Sequence, residues 1–431
     1  MRLCYTLLFH VAIPFLWVRL WWKGRRQPGY RSRIGERFGW YSVPVSSQDV
    51  VWVHAVSVGE CEAAFPLVKL LLADPSLDRR LLMTCTTPTG SARILDVLGE
   101  TVDHVYMPYD LPFAIRGFLR AFRPSLGLIM ETEIWPNLFH ACHEQHIPLA
   151  IINGRLSEKS MRGYAYVRAL IRESLCHLNL IAAQTTADAE RYIHLGADPD
   201  RVKITGNIKF DVQPEAGLPE LMLGIRFELF GHRPVWIAGS THPGEEDIIL
   251  EAQALVQQSL PEALLILAPR HPERGPDIRL VCESQGFGVQ SRSDQSVASQ
   301  ETSVFLLDTL GELRRFYAAV DVAFIGGSLI PHGGQNVLEA AMAGIPVLFG
   351  PHVGNFRVIC ASLLETRAAV QVNNADELAR WVTRFLTQPD EAKAYGQQGK
   401  AYVESNRGAL ARVMALIQGL MGQGTQKPLT H

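Results

Sequence analysis

Two glutamates, a lysine and an arginine stand where an apolar run gives way to a turn, the place where open α/β proteins keep their chemistry. Glu60 closes the stretch HAVSVGE at residues 54–60. Ser57-x-x-Glu60 has the spacing of a capping box, in which both side chains satisfy the first N–H groups of a helix. A carboxylate at such a turn is equally placed to take a proton from a hydroxyl, and on the residues alone both readings stand. Glu131 ends the apolar run 126–130 and opens Glu131-Thr132-Glu133. Burying an unpaired carboxylate there is costly unless it faces solvent or a ligand. Lys209 follows VKITGNI and is either a solvated loop lysine or a cation for a phosphate or carboxylate. Arg270 directly follows ALLILAP, where its guanidinium could hold a phosphate through two parallel N–H bonds. Asp198-Pro199-Asp200 formally matches the D-x-D that holds a metal-bound diphosphate in many transferases. It precedes an apolar run in a turn-like context, so it reads as cap chemistry, and the site is expected to neutralise phosphate without a metal.

The densest grouping is 322–351, VAFIGGSLIPHGGQNVLEAAMAGIPVLFGP. It predicts a buried strand ending in Gly326-Gly327, a helix opening at Asn336 and a second buried strand. The glycines would let a ligand approach the backbone, and the helix start would offer unpaired N–H groups to a phosphate. Glu339, one turn in, would accept hydrogen bonds from a ribose diol. The plainer alternative is a βαβ unit whose glycines serve only tight turns.

The elements that must position these residues alternate. Apolar runs predict strands at 50–56, 81–85, 104–108, 126–130, 149–152, 180–183 and 202–205, with amphipathic helices such as 61–73, 112–122 and 160–177 between them. The polar stretch DVQPEAGLPE (211–220) breaks the rhythm and reads as a linker. Strands resume at 235–239, 264–269, 303–307, 322–326, 345–349 and 368–372, and helices near 375–388, 391–406 and 408–421 finish the chain. The expected architecture is two doubly wound α/β halves facing each other across a cleft, with the last helices able to pack back on the first half.

At 431 residues the chain suits two domains, and 47% hydrophobic residues supply two cores. A net charge of −2 carries no signature of nucleic-acid binding. Seven scattered cysteines, with no C-x-x-C pair and no histidines at zinc spacing along the sequence, argue for buried thiols and no structural metal. Residues 3–22 are almost continuously apolar and end in Trp21-Trp22, followed by Lys23, Arg25, Arg26, Arg31, Arg33 and Arg37. Twenty helical residues cover about 30 Å, a bilayer core, and basic flanks stay cytoplasmic. The segment therefore predicts a membrane anchor, spanning the bilayer or lying in its interface. The alternative is a buried amphipathic helix with a solvated basic flank.

HAVSVGE (54–60), METEIWPN (130–137), NGRLS (153–157), GNIKFD (206–211), PRHPER (269–274) and GGQNVLEAA (333–341), with the apolar and basic N-terminus, resemble the Kdo (3-deoxy-D-manno-octulosonate) transferases of Gram-negative bacteria through nearly the whole chain. The resemblance implies a GT-B fold of two Rossmann-like domains: a membrane anchor at 1–22, an acceptor domain at 23–212 and a CMP-sugar-binding domain at 213–431. It implies CMP-Kdo as donor, a lipid A precursor (lipid IVA) as acceptor, no cofactor, and a place at the cytoplasmic face of the inner membrane in contact with its lipid. It gives Glu60 the role of catalytic base, and Glu131 and Lys209 that of supporting the transition state. Nucleotide contacts fall on Pro269, Arg270, Leu310, Gly311, Glu312, Asn336, Val337, Leu338 and Glu339. Gln335 departs from the histidine usual in this family, and no role attaches to it. A lipid glycosyltransferase using a UDP-sugar, a nucleotide-sugar epimerase and a membrane-tethered binding protein remain alternatives, to be separated by the donor the protein uses.

Overall fold

The computed structural model describes residues 1–42, 49–75, 79–211, 217–295 and 297–424. The chain divides into two compact units, Met1–Asp211 with the chain from Gly408 onward, and Val212–Arg407. Half of the linker expected at 211–220 lies outside the described residues.

The first unit holds a seven-stranded parallel sheet: β1 (Val50–His54), β2 (Arg80–Cys85), β3 (Asp103–Tyr106), β4 (Pro124–Met130), β5 (Leu149–Gly154), β6 (Leu180–Ala183) and β7 (Val202–Ile204). Their spatial order is β3-β2-β1-β4-β5-β6-β7. The sheet is buried on both faces, which is why its strands are continuous apolar runs rather than alternating ones. Val51 and Val53 face one core with Leu126 and Leu128. Trp52 faces the other with Phe118 and Ile129. The second unit repeats the plan with β8 (Val235–Thr241), β9 (Leu264–Pro269), β10 (Val289–Ser291), β11 (Val304–Leu306), β12 (Val322–Ile325), β13 (Val347–Phe349) and β14 (Ala369–Gln371). Here the order is β10-β11-β9-β8-β12-β13-β14. In each unit the connections leave the central strand in opposite directions, so crevices open at the carboxyl ends of β1 and β4 in one and of β8 and β12 in the other.

All thirteen expected runs contain a strand; β10 was not expected. The helix expected at 160–177 is two, Glu158–Ala165 and Arg168–Cys176. The three C-terminal helices divide between the units: Ala375–Thr387 packs in the second unit's core through Leu378 and Val382. The last, Ala409–Gly424, instead completes the core of the first with Leu410, Val413 and Ile417. It is tied there at its start. The Asp211 carboxylate accepts the Gly408 and Leu410 N–H groups, each at 2.6 Å, and Arg412 donates to the Thr205 carbonyl at 2.8 Å.

The N-terminal segment corrects the expectation of one long apolar helix. Helices Arg2–Val11 and Ile13–Arg26 meet at a 52° bend, and among the described residues no single helix is long and apolar enough to cross a membrane. Pro14 in the first turn of the second helix explains the break, since its ring and missing N–H do not suit a continuing helix. One side of the pair is docked: Leu20 is buried with Phe38, Leu111 and Ala114, and Thr6 donates to Asn137 at 2.8 Å. Leu3, Leu7, Leu8, Val11, Phe15, Val18, Trp21 and Trp22 are exposed.

Candidate active site

In the first unit the crevice between β1 and β4 receives Glu60 from the helix that follows β1 and Glu131 from the turn that follows β4. Ser57 caps the helix Val58–Ala73 and its hydroxyl accepts the Glu60 N–H at 3.4 Å. The Glu60 carboxylate reaches back to accept the Val56 N–H at 2.7 Å, one residue before the Ser57 N–H on which a capping box closes, so Ser57 caps the helix while the return bond is shifted by one residue. That bond does not exhaust the residue. Burial, opposed by the Val56 N–H and reinforced by the charges of Glu131 and Glu133, pushes the Glu60 carboxyl up to about 7. A group poised there exchanges protons readily near neutral pH.

Glu131 sits at φ 57, a left-handed conformation strained for a side chain other than glycine and a feature that clusters at functional sites. Its carboxylate accepts from the Lys209 ammonium at 3.0 Å, both side chains being about four-fifths shielded. The structure thus joins as one ion pair the two residues that the resemblance assigns to supporting the transition state. Lys209 is presented by the short turn Ile208–Phe210, held by Asn153, whose side-chain oxygen accepts the Ile208 N–H at 3.1 Å. Glu133 accepts the indole N–H of Trp135 at 2.7 Å, and burial raises its pKa. His54, buried with one nitrogen 2.9 Å from the Thr84 hydroxyl, is held neutral by burial, its pKa lowered to about 3. Sequence reasoning named neither Asn153's task nor His54. The positive φ at Asn153 is invisible in a sequence, and a strand histidine reads as core.

In the second unit Arg270 follows Pro269, the last residue of β9, and its backbone N–H donates to the Thr241 carbonyl at 3.0 Å. Arg270 lies close enough to His242 to help lower that imidazole's pKa to about 4, after burial and the neighbouring His332 and His271. Two expectations here need correction. The N–H groups of Gly327, Ser328 and Leu329 are not open to a ligand: the buried Glu245 carboxylate accepts all three, at 2.6, 3.0 and 2.9 Å. Gly326 is required by packing, because a Cβ would fall 2.5 Å from the Ser240 carbonyl oxygen. These glycines therefore serve the turn. The following helix spans Leu338–Ala343, two residues later than expected. Asn336 precedes it in an Asx-turn, its side-chain oxygen accepting the Leu338 N–H at 3.0 Å while its amide donates to Glu339 at 3.2 Å.

Val337 and Leu338 are buried, so neither offers an exposed side chain. Beyond β11, Leu310 is exposed and Gly311 adopts φ 81. Glu312 is held by Arg292 through bonds of 3.0 and 3.1 Å, which depress its pKa. Missed from the sequence were Glu245, 82 residues from the loop it binds, and the surroundings of His242, whose ring stacks on His332 at 3.7 Å and meets the Gln335 amide at 2.8 Å. A hollow of about 500 Å³ at the end of β13, lined by Pro331, His352, Arg357 and Gln371, was also unexpected. Asp198 caps the turn Pro199–Arg201 by accepting the Asp200 N–H at 3.0 Å, as the turn reading of D-x-D requires.

Residues 32–212 match the family described as 3-deoxy-D-manno-octulosonic-acid transferase, and residues 233–402 match glycosyl transferases group 1. The 3-deoxy-D-manno-octulosonic acid transferase of Haemophilus influenzae is 38% identical, covering 97% of this chain and 98% of that protein. Its Bordetella pertussis counterpart is 35% identical over 97% and 99%. Among solved structures, a glycosyltransferase from Rickettsia africae is 12% identical with TM-score 0.53 over 87% of this chain and 99% of that one. The UDP-GlcNAc 2-epimerase of Neisseria meningitidis is 15% identical with TM-score 0.54 over 86% and 100%. These last two speak for the fold alone, a GT-B arrangement of two Rossmann-like domains. With two relatives matching end to end and both domains accounted for, the chain is a glycosyltransferase and belongs to the 3-deoxy-D-manno-octulosonic-acid transferase family.

Proposed function

We propose that this enzyme transfers Kdo from CMP-Kdo to a lipid A precursor, lipid IVA, in lipopolysaccharide synthesis, by direct displacement with inversion. Glu60 takes the proton of the acceptor hydroxyl as its oxygen attacks the anomeric carbon. The bond from that carbon to the phosphate oxygen breaks, and CMP leaves with the electron pair. Glu131 stabilises positive charge developing on the sugar. Lys209, bound to Glu131 in the resting site, shifts toward the departing phosphate as that charge grows. On the second unit Arg270 pairs with the phosphate, Glu339 and Asn336 with the ribose, and Pro269, Leu310, Gly311, Glu312, Val337 and Leu338 frame the nucleotide, the buried pair through their backbone. No metal is assigned to catalysis. The observation that carries this reading is the Glu60 carboxyl raised to about 7 beside the Lys209–Glu131 pair at the crevice of the first unit.

We also propose a place at the cytoplasmic face of the inner membrane, with the N-terminal pair lying in the interface rather than spanning. The exposed apolar residues of both helices support this, with Arg19, Lys23, Arg25 and Arg31 exposed beside them. Arg37 is buried and Arg33 is bound to Glu36 at 2.7 Å, so these two are structural rather than lipid-facing. A hollow of about 700 Å³ lined by Phe38, Trp40, Phe113, Arg116 and Arg120 suits a lipid carrying anionic groups.

Incubating the purified enzyme with lipid A precursor and, separately, labelled CMP-Kdo and UDP-sugars tests the donor and acceptor. Transfer from CMP-Kdo alone is expected. Transfer from a UDP-sugar, or epimerisation of one, would overturn the assignment.

A further inference from the structure

We infer that His140, Glu173 and His177 form a binding site for a divalent transition-metal ion of the zinc class, separate from the candidate active site. His140 lies on the helix Pro136–Glu144; Glu173 and His177 lie one turn apart at the end of the helix Arg168–Cys176. One ligand atom from each falls within 4.8 Å of the others. Around a tetrahedral zinc, with bonds of about 2.0–2.1 Å, ligand atoms stand about 3.3 Å apart. Binding therefore requires the three ligand atoms to draw closer than the 4.8 Å within which they stand. Two histidines and a carboxylate are a recurrent zinc set, and imidazole also suits copper and nickel.

A second observation points the same way. Among the described residues, the Nδ1 atom of His140 and the Nε2 atom of His177 are both buried with no hydrogen-bond partner, which costs free energy unless something binds them. The opposite nitrogen of His140, Nε2, meets the Glu144 carboxylate at 3.1 Å. A carboxylate behind the imidazole is the outer partner that orients a metal-bound histidine. His143 stacks on the His177 ring at 4.5 Å and fixes its plane.

The site falls near the amino-terminal edge of the sheet, since His177 shortly precedes β6, whereas Glu60 and Glu131 occupy the carboxyl edge. Its third ligand is lightly held: the Arg2 guanidinium approaches Glu173 only to 3.8 Å. An ion would take Glu173 from Arg2 and join the two helices. No pattern along the sequence marks the set, because His140 and His177 lie on different helices.

The test uses the full chain, freed of any affinity tag, titrated with Zn²⁺ and with Co²⁺. One equivalent of cobalt should produce the intense visible absorption of a four- or five-coordinate ion, displaced by zinc, and zinc should raise the Tm. His140→Ala and His177→Ala should each abolish the band and the zinc-dependent Tm rise while melting like wild type without metal. Glu144→Ala should weaken zinc binding about 10- to 100-fold, and His143→Ala should retain one equivalent. Absence of saturable binding by the native chain, a weak octahedral cobalt spectrum, or binding that survives in the His140→Ala, His177→Ala double variant would overturn the proposal.

Discussion

Replacing Glu60 by Gln separates its two tasks, because the amide oxygen can still accept the Val56 N–H while the proton-accepting carboxylate is gone. The wild-type carboxyl rises from an ordinary 4.5 to about 7 in the fold. The folded chain therefore binds this proton more tightly than the unfolded chain. Wild-type stability falls as pH rises from about 4.5 to about 7, and the loss is complete above that. Each tenfold change in proton affinity is worth about 1.4 kcal/mol. The full effect would approach about 3 kcal/mol, and solvent in the crevice reduces it to about 1–3 kcal/mol. Glu60→Gln should thus gain that much stability at pH 8.5 and almost none at pH 4, an increase of roughly 2–4 °C in Tm per kcal/mol for a domain of this size. Transfer from CMP-Kdo should fall by about 10²–10⁴-fold, and the wild-type rise of kcat/KM with pH toward a plateau just above 7 should vanish. CMP binding should persist. Thermal melts at the two pH values and a pH–rate profile decide the matter. A variant equally destabilised at both pH values would mean that the cap is the residue's whole purpose. Full activity would remove Glu60 from the mechanism.

Three other outcomes follow from the same geometry. Lys209→Met should cost about 1–3 kcal/mol in denaturant unfolding by leaving Glu131 shielded and unpaired, and adding Glu131→Gln should recover part of it in a double-mutant cycle. Arg270→Ala and Glu339→Ala should each weaken CMP-Kdo binding roughly 5- to 150-fold by calorimetry, and unchanged affinity in both would mean that the donor occupies another crevice. Replacing exposed Leu7, Leu8 and Trp22 by Ser should reduce flotation with anionic vesicles while leaving transfer to detergent-dispersed acceptor intact. These point changes are preferable to deleting residues 1–22, which would also remove Leu20 from a buried cluster.

What could be read in the sequence follows from how each feature is encoded. Parallel strands buried on both faces are long apolar runs, and each of the thirteen expected runs holds one. β10 escaped because it is three residues at the sheet edge with only Ser291 buried. Glu60 and Glu131 stood out because they close such runs. Features made by distant partners did not: Glu245 filling the Gly327 loop, the Asn153 bond to Ile208, and the grouping of His140 with His177. The bend before Pro14 was a local signal, outweighed by the length of the apolar run around it.

The return of the last helix to the first unit has a consequence for how the protein is made. Synthesis proceeds from the N-terminus, and early domains ordinarily fold as they emerge. Here Leu410, Val413 and Ile417 belong to the core built on β1, β2 and β4, and the Asp211 carboxylate awaits Gly408 and Leu410. The unit begun first on the ribosome is therefore completed only after the second has been made, and its apolar surface stays open to chaperones, or to the membrane beside which we propose it works, until the helix Ala409–Gly424 emerges.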